Sequence, residues 1–195
     1  MSAAKSPMRL EEALAPVRAT RRDEDVVITT MAPAKVWMDM GPAHPRDLVY
    51  VPSAMSHATS VGLGIALAQP ERRVIVCNGD GSMLMNLGSL VTIVSQAPAN
   101  LVVIICDNGV YEVTGSQPVP ARVDFLALAR GAGFTATHHF TTAAEWASNV
   151  EVVLGRRGPV FVVLDVAANA TRLAPKSPGF ASARGEALRR ALAPA

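Results

Sequence analysis

Runs of consecutive apolar residues constrain the fold of this 195-residue chain more than any other feature of its sequence. A strand with one solvated face alternates apolar and polar residues, whereas a strand covered on both faces is apolar along its length. Five predicted strands are of the second kind, over residues 26–29, 48–51, 73–77, 101–106 and 160–164. Such strands are typical of a parallel sheet between two layers of helices. We therefore predict a three-layer α/β sandwich with a mostly parallel central sheet.

Helical patterns fill the stretches between these strands. Pro33, for example, suits the first turn of a helix. Six helices are predicted, over residues 8–20, 33–40, 56–68, 82–96, 124–130 and 142–154. One domain is thus expected over 8–166, after an N-terminal extension at 1–7. The Ala/Pro/Arg-rich tail over 167–195 is expected to be mobile or packed on a partner.

Composition and charge exclude several classes of function. The net charge is +2 and the basic residues are scattered, so the stripe of basic and aromatic residues that nucleic acid requires is not seen. No apolar stretch approaches the roughly 20 residues that cross a bilayer, and residues 1–5 lack a following apolar signal core. Cys77 and Cys106 each end a buried strand and are expected to be free thiols. We therefore expect a cytoplasmic protein with neither nucleic acid nor membrane as partner.

Polar residues follow two of the predicted strands, where ligands of parallel sheets bind. Residues 78–82 read Asn-Gly-Asp-Gly-Ser, and residues 107–111 read Asp-Asn-Gly-Val-Tyr. Asp80 offers a carboxylate and Asn108 an amide oxygen, which are donors that suit Mg²⁺, and a helix that begins at Ser82 directs N–H groups toward phosphate oxygens. Each segment alone is also a common turn sequence. Together they predict a diphosphate bridged by a metal.

The pairing of these segments, with Asp80 and Asn108 lying 28 positions apart, resembles the binding motif of thiamine diphosphate (ThDP) enzymes. The resemblance implies the ThDP-binding fold, with ThDP and Mg²⁺ as cofactors. It places Asp80, Asn108 and the backbone carbonyl of Val110 in the metal shell. It also implies cofactor contacts from Gly79, Gly81, Ser82 and Tyr111. The family motif ends in two asparagines, and Asp107 stands at the first of them.

Residues 53–70 resemble the stretch that precedes the Gly-Asp-Gly strand in ThDP decarboxylases. The resemblance places Met55 beneath the cofactor as the apolar wedge that keeps it bent, and gives the carbonyl of Ser53 to the pyrimidine amine. The resemblance also implies a cofactor contact from Ser56. Ser53 and Ser56 stand where relatives often carry glycine, so this turn is expected to differ slightly. Without that context, Met55 would be interpreted as a core methionine. A lone Gly-x-Gly, Gly62 and Gly64, is expected to let a helix pack closely on the sheet.

The family also requires an activating glutamate on a second, pyrimidine-binding domain, for which this chain has no room. Its own glutamates, Glu112 included, match no such segment. The resemblance therefore implies that no catalytic residue lies in this chain and that a separate pyrimidine-domain (alpha) subunit supplies the glutamate in a homo- or hetero-oligomer. Residues 107–117 resemble those of the small, split-subunit 2-oxoacid decarboxylases of the sulfopyruvate and phosphonopyruvate type. The expected substrate is a small 2-oxoacid.

Other interpretations stay open at this point. A ThDP-dependent carboligase of the acetolactate synthase kind would use the same cofactor residues, and a non-catalytic subunit would keep the fold alone. Lys35 and Arg122 are candidate contacts for an anionic substrate tail. His57 either faces the substrate or bonds locally. His138 and His139 are predicted to lie at the surface.

Overall fold

The central sheet of the protein has six strands: β1 (Val26–Thr30), β2 (Asp47–Tyr50), β3 (Val74–Gly79), β4 (Leu101–Asp107), β7 (Ala136–Phe140) and β8 (Val160–Asp165). A small antiparallel hairpin comprises β5 (Val110–Tyr111) and β6 (Gln117–Pro118). The computed structural model describes residues 7–50, 55–121, 123–169 and 179–193. All six strands of the sheet pair in parallel, in the order β2-β1-β3-β4-β8-β7.

Helices cover both faces of this sheet. They are α1 (Leu10–Thr20), α2 (Met31–Asp39), α3 (Ala58–Ala68), α4 (Asp80–Leu84), α5 (Gly88–Gln96), α6 (Phe125–Ala132), α7 (Ala143–Leu154) and α8 (Ala181–Leu192), with a 3₁₀ turn η1 (Glu112–Thr114). Helices α1, α2 and α7 bury Trp37 and Trp146 on one face, and Trp146 Nε1 donates to the carbonyl of Ala13 at 2.8 Å. Helices α3, α5, α6 and α8 pack around Phe161 on the other. The predicted three-layer α/β fold is confirmed.

The structure corrects the helix predicted over 82–96. A helix already begins at Asp80, directly after β3, and the chain turns before α5 begins at Gly88. Asn86 occupies this turn, where its carbonyl accepts from Ser89 Oγ at 2.7 Å and its Nδ2 donates to the carbonyl of Ser56 at 3.0 Å. The break therefore ties the start of α5 to the segment before α3.

Strand β7 was not predicted, because it is an edge strand with a polar sequence, Ala-Thr-His-His-Phe. Only Phe140 of this strand is buried, so its faces do not require an unbroken apolar run. His139 is exposed, as predicted, and its Nε2 lies 2.6 Å from Asp165 Oδ1. His138 points to the other face, where it is only half-exposed and stacks with Phe140.

Helix α8 lies beside the edge strand β2. Leu188 is buried against the α3 face of the sheet, and Arg46 Nε donates to the carbonyl of Ala191 at 3.2 Å. The Arg184 guanidinium donates to the carbonyl of Val49 within β2. This part of the tail covers an otherwise open strand edge, whereas residues 170–178, 194 and 195 lie outside the described part of the chain. None of the described helices has the length and apolar character that crossing a bilayer requires.

The two glycines of α3 differ in their surroundings. A Cβ atom on Gly62 would overlap Val76 Cγ2 on β3, so this glycine sets the close approach of helix and sheet, as predicted. A Cβ atom on Gly64 would meet nothing within 4 Å, so the same prediction is wrong for Gly64.

We expect Gly62→Ala to destabilise the fold by about 1–3 kcal/mol, because the added methyl group overpacks the contact between α3 and β3. Gly64→Ala is the matched control on the same helix. It is expected to be neutral or to stabilise by up to about 1 kcal/mol, since alanine is the better helix former. Denaturant unfolding of both variants measures these free energies. Equal stabilities for the two would contradict the packing described.

Candidate functional site

A cleft lies at the carboxyl ends of β1, β3 and β4. It brings together eight of the residues predicted for the site, namely Met55, Gly79, Asp80, Gly81, Ser82, Asn108, Val110 and Tyr111. Ser53 lies outside the described residues. Ser56 does not line the cleft, but its N–H donates to Ser82 Oγ at 2.8 Å and so holds the turn that carries Met55.

Asp80 is, with Ser82, one of the two most deeply buried polar residues that line this cleft. It is 2% exposed and is the first residue of α4. One carboxylate oxygen accepts from the N–H of Gly81 at 2.8 Å and the other from the N–H of Gly109 at 2.7 Å, so the side chain joins the two loops. Burial, the largest effect, and the neighbouring Asp107 carboxylate raise the pKa of Asp80, whereas these two hydrogen bonds lower it, and the net result is a pKa of about 7. Among the described residues, the ionised form therefore has no positive partner.

The donors around Asp80 fit a divalent cation. Asn108 Oδ1 accepts from the N–H of Val110 at 2.9 Å, and Gly109 has the left-handed φ of +73° that this turn requires. A carboxylate, an amide oxygen and a backbone carbonyl thereby lie on adjacent loops. Such hard oxygen donors suit Mg²⁺, which takes its remaining ligands from water and phosphate. The described residues contain no cluster of three or more His, Cys, Asp or Glu side chains that could replace this set.

Several carboxyl groups lie near Cys106, which lines the cleft. Cys106 is a buried free thiol, as predicted, and burial raises its pKa well above the usual value. Nearby Asp80, Asp107 and Glu112 raise it further. Lys, Arg and His are absent from the described residues that line the cleft. A bound cation would compensate these carboxylates. Cys77 is also free and buried, and burial raises its pKa to about 12.

The two glycines of the Gly-Asp-Gly segment have different roles. A Cβ atom on Gly79 would meet nothing within 4 Å, so this backbone is open to a ligand. A Cβ atom on Gly81 would lie 2.5 Å from Cδ1 and 2.6 Å from Cε1 of Tyr111. Position 81 therefore excludes a side chain because the tyrosine ring fills that space.

The turn that carries Met55 has a backbone conformation at Ser56 that would favour glycine. Ser56 has a φ of +81°, a conformation that glycine adopts freely and serine rarely. The contacts from Asn86 to its carbonyl and from Ser82 to its N–H keep it there. Asn86 was missed from the sequence because nothing there signals the break before α5.

Met31 is a second residue that sequence reasoning missed. It follows β1, lines the cleft and has a φ of +58°, which is uncommon for a long side chain. Its position directly after a strand of the parallel sheet was the one available signal. Together with Leu10, Pro33, Val113 and Val166 it gives the cleft an apolar wall.

Of the three candidate substrate contacts, the two that the structure describes, Lys35 and His57, do not line the cleft. Lys35 Nζ pairs with Asp39 Oδ2 on α2 at 2.7 Å and does not line the cleft. His57 Nδ1 lies 3.0 Å from the carbonyl of Met55, which agrees with local bonding at the start of α3. Arg122 is outside the described residues.

This fold and cleft define the cofactor-binding domain of a thiamine diphosphate (thiamine pyrophosphate) enzyme. The chain belongs to that family, since residues 28–164 match its C-terminal TPP binding domain. Over 156 residues the chain is 39% identical to the sulfopyruvate decarboxylase subunit beta of Methanothermobacter thermautotrophicus, with 80% of both chains covered. Over 147 residues it is 40% identical to the phosphonopyruvate decarboxylase of Streptomyces viridochromogenes, with 74% of this chain and 36% of that protein covered.

A solved structure shows the same fold. The ThDP-dependent 4-hydroxybenzoylformate decarboxylase of Rhodococcus jostii RHA1 matches 88% of this chain with a TM-score of 0.73 and 23% identity. The match covers 34% of that longer chain. The chain thus spans about a third of the two longer relatives, but most of the separate beta subunit.

Proposed function

We propose that this chain is the ThDP- and Mg²⁺-binding subunit of a split 2-oxoacid decarboxylase. The observation that carries the proposal is the convergence of the Gly-Asp-Gly loop, the Asp-Asn-Gly loop and Met55 in one cleft. Membership of the thiamine pyrophosphate enzyme family and similarity to proteins named decarboxylases support it. The buried free thiols agree with a cytoplasmic location.

Each part of the cleft has a role in this proposal. Asp80, Asn108 and the carbonyl of Val110 hold Mg²⁺. Gly79 gives the diphosphate close access to the backbone, beside Ser82 and Tyr111. Met55, on its braced turn, supports the cofactor from below. Bound ThDP supplies the electron sink on which a 2-oxoacid loses CO₂.

The partner belongs to the proposal because one relative is named as a beta subunit that the chain covers to 80%. The activating glutamate would come from a pyrimidine-domain subunit. The buried glutamate of this cleft, Glu112, does not replace it, because its carboxylate already accepts from the N–H of Asn169 at 2.7 Å.

Product analysis tests the reaction. The chain and its partner are incubated with ThDP, Mg²⁺ and a panel of 2-oxoacids that includes sulfonate- and phosphonate-bearing members. We expect release of one CO₂ and one aldehyde per oxoacid. A condensed hydroxyketone as the main product would replace decarboxylation with carboligation, and no turnover together with no ThDP binding would leave a non-catalytic subunit.

Met55→Ala is expected to reduce kcat of the assembled enzyme by about 10- to 100-fold, because small misplacements of the reacting groups have effects of this size. ThDP affinity should change by less than about threefold, since the metal and diphosphate contacts remain. Met55→Leu, close in volume, is the matched control and should be mild. Steady-state kinetics and calorimetry separate the two quantities. Full activity of the alanine variant would return Met55 to an ordinary packing role.

A further inference from the structure

Glu112 is a buried carboxylate that the proposed cofactor contacts do not use. It opens η1, immediately after Tyr111, and is 7% exposed. Its Oε1 accepts from the backbone N–H of Asn169 at 2.7 Å, and Oε2 lies 3.4 Å from Asn169 Nδ2. A buried charge requires such donors, because leaving water without them is costly.

The segment that ends at Asn169 is itself fixed to the sheet. After β8, the N–H of Val166 donates to the carbonyl of Asp107 at 2.9 Å, and the N–H of Ala167 donates to the carbonyl of Met8 at 2.8 Å. These two hydrogen bonds fix the backbone for two residues after the end of β8. Asn169 therefore presents its N–H from a backbone that the core restrains.

Glu112 itself follows the loop that carries Asn108 and Val110, two of the proposed metal ligands. Val110 and Tyr111 form β5, which pairs with β6 at Val110↔Pro118 and Tyr111↔Gln117. Two residues on each strand make a very small ladder, and such a hairpin is only marginally stable alone. The tyrosine ring against Gly81 provides one contact with the core. The Glu112 carboxylate provides a polar one, on the β8 side.

We propose that Glu112 is a positioning residue, whose hydrogen bond with the N–H of Asn169 fixes the Val110 carbonyl and the Tyr111 ring at the cofactor cleft. The role is to hold the loop in the geometry for Mg²⁺ before the metal binds. Preorganised second-sphere partners of this kind are typically worth 10- to 100-fold in metal affinity. The inference rests on the proposed function for its metal, but not for its effect on the loop.

The test uses two measurements on the full chain. Without ligands, amide hydrogen exchange over residues 109–118 should be at least about tenfold faster in Glu112→Ala, while β3 and β4 exchange as before. With ThDP, the Mg²⁺ concentration for half-saturation should rise about tenfold or more. Glu112→Gln keeps an oxygen acceptor for the N–H and should restore both quantities to within about threefold. The matched control is Glu151→Ala, an exposed glutamate on α7, which should leave both unchanged.

The bond can be broken from its other end. Asn169→Ala keeps the N–H and should be mild, whereas Asn169→Pro removes it and should reproduce Glu112→Ala. Glu112→Ala in the Asn169→Pro background should then add little. Unchanged exchange in Glu112→Ala, or additive effects in the double variant, would overturn the inference. A wild-type chain that binds no ThDP would refute the proposed function while the exchange measurement still decides the role of Glu112.

Discussion

Asp80→Ala is expected to weaken Mg²⁺-dependent ThDP binding by at least about 100-fold, since loss of a partner one shell further out already costs 10- to 100-fold. Asp80 is the only carboxylate in the proposed metal shell, and it also joins the two loops through the N–H groups of Gly81 and Gly109. Calorimetric titration with ThDP at fixed Mg²⁺ measures the loss.

The wild-type affinity should also depend on pH. Burial raises the pKa of Asp80 to about 7, so protons compete with the metal below that pH and the affinity falls as the pH is lowered. Asp80→Ala should lose this dependence. The matched control is Asp165→Ala, which removes a carboxylate from the same edge of the sheet, two strands away, outside the cleft. Equal losses of ThDP affinity in the two variants would indicate that Asp80 acts only through its negative charge. Unchanged ThDP affinity in Asp80→Ala would exclude Asp80 as a metal ligand.

The second large effect concerns the partner subunit. The purified chain, saturated with ThDP and Mg²⁺, should decarboxylate 2-oxoacids at least about 100-fold more slowly than the assembled enzyme, because a positioned acid–base group contributes 10²–10⁴-fold and this one would be absent. Release of CO₂ is measured for the chain alone and after addition of a pyrimidine-domain subunit.

The control is the partner alone, which should be equally inactive because it would lack the cleft. When the activating glutamate of the partner is replaced, the assembled enzyme should release CO₂ no faster than the chain alone. Appreciable turnover by the single chain would contradict the split arrangement and place a glutamate of this chain, with Glu112 the first to be tested, at the cofactor.

Most of the fold was predictable because burial on both faces leaves a direct trace in sequence. Strands β3, β4 and β8 contain uninterrupted runs of apolar residues, and all three lie where those runs predicted them. Strand β7 left no such trace, because at the sheet edge its two histidines meet no demand for apolar residues. The break between α4 and α5 was also hidden, since Asn86 at this break is held by a tertiary hydrogen bond from its Nδ2 to the carbonyl of Ser56.

The residues of the cleft also differ in whether the sequence could predict them. Asp80 and Asn108 could be named because strand ends in a parallel sheet converge, and the structure brings both to one cleft. Met31 was hidden because its left-handed φ has no signature in a methionine. The contact between Glu112 and Asn169 spans 57 positions and joins two loops, so no local pattern reveals it.

The contact between Gly81 and Tyr111 also restricts how this sequence is able to change over time. A side chain at position 81 collides with the ring at position 111, so the first substitution is tolerated only after the ring has been lost or has moved. The reverse order carries no such penalty, because a smaller residue at position 111 leaves glycine undisturbed. At positions 81 and 111, which are 30 residues apart, the change at position 111 must therefore come first. Descendants with a side chain at position 81 should already lack the tyrosine or hold its ring in another position.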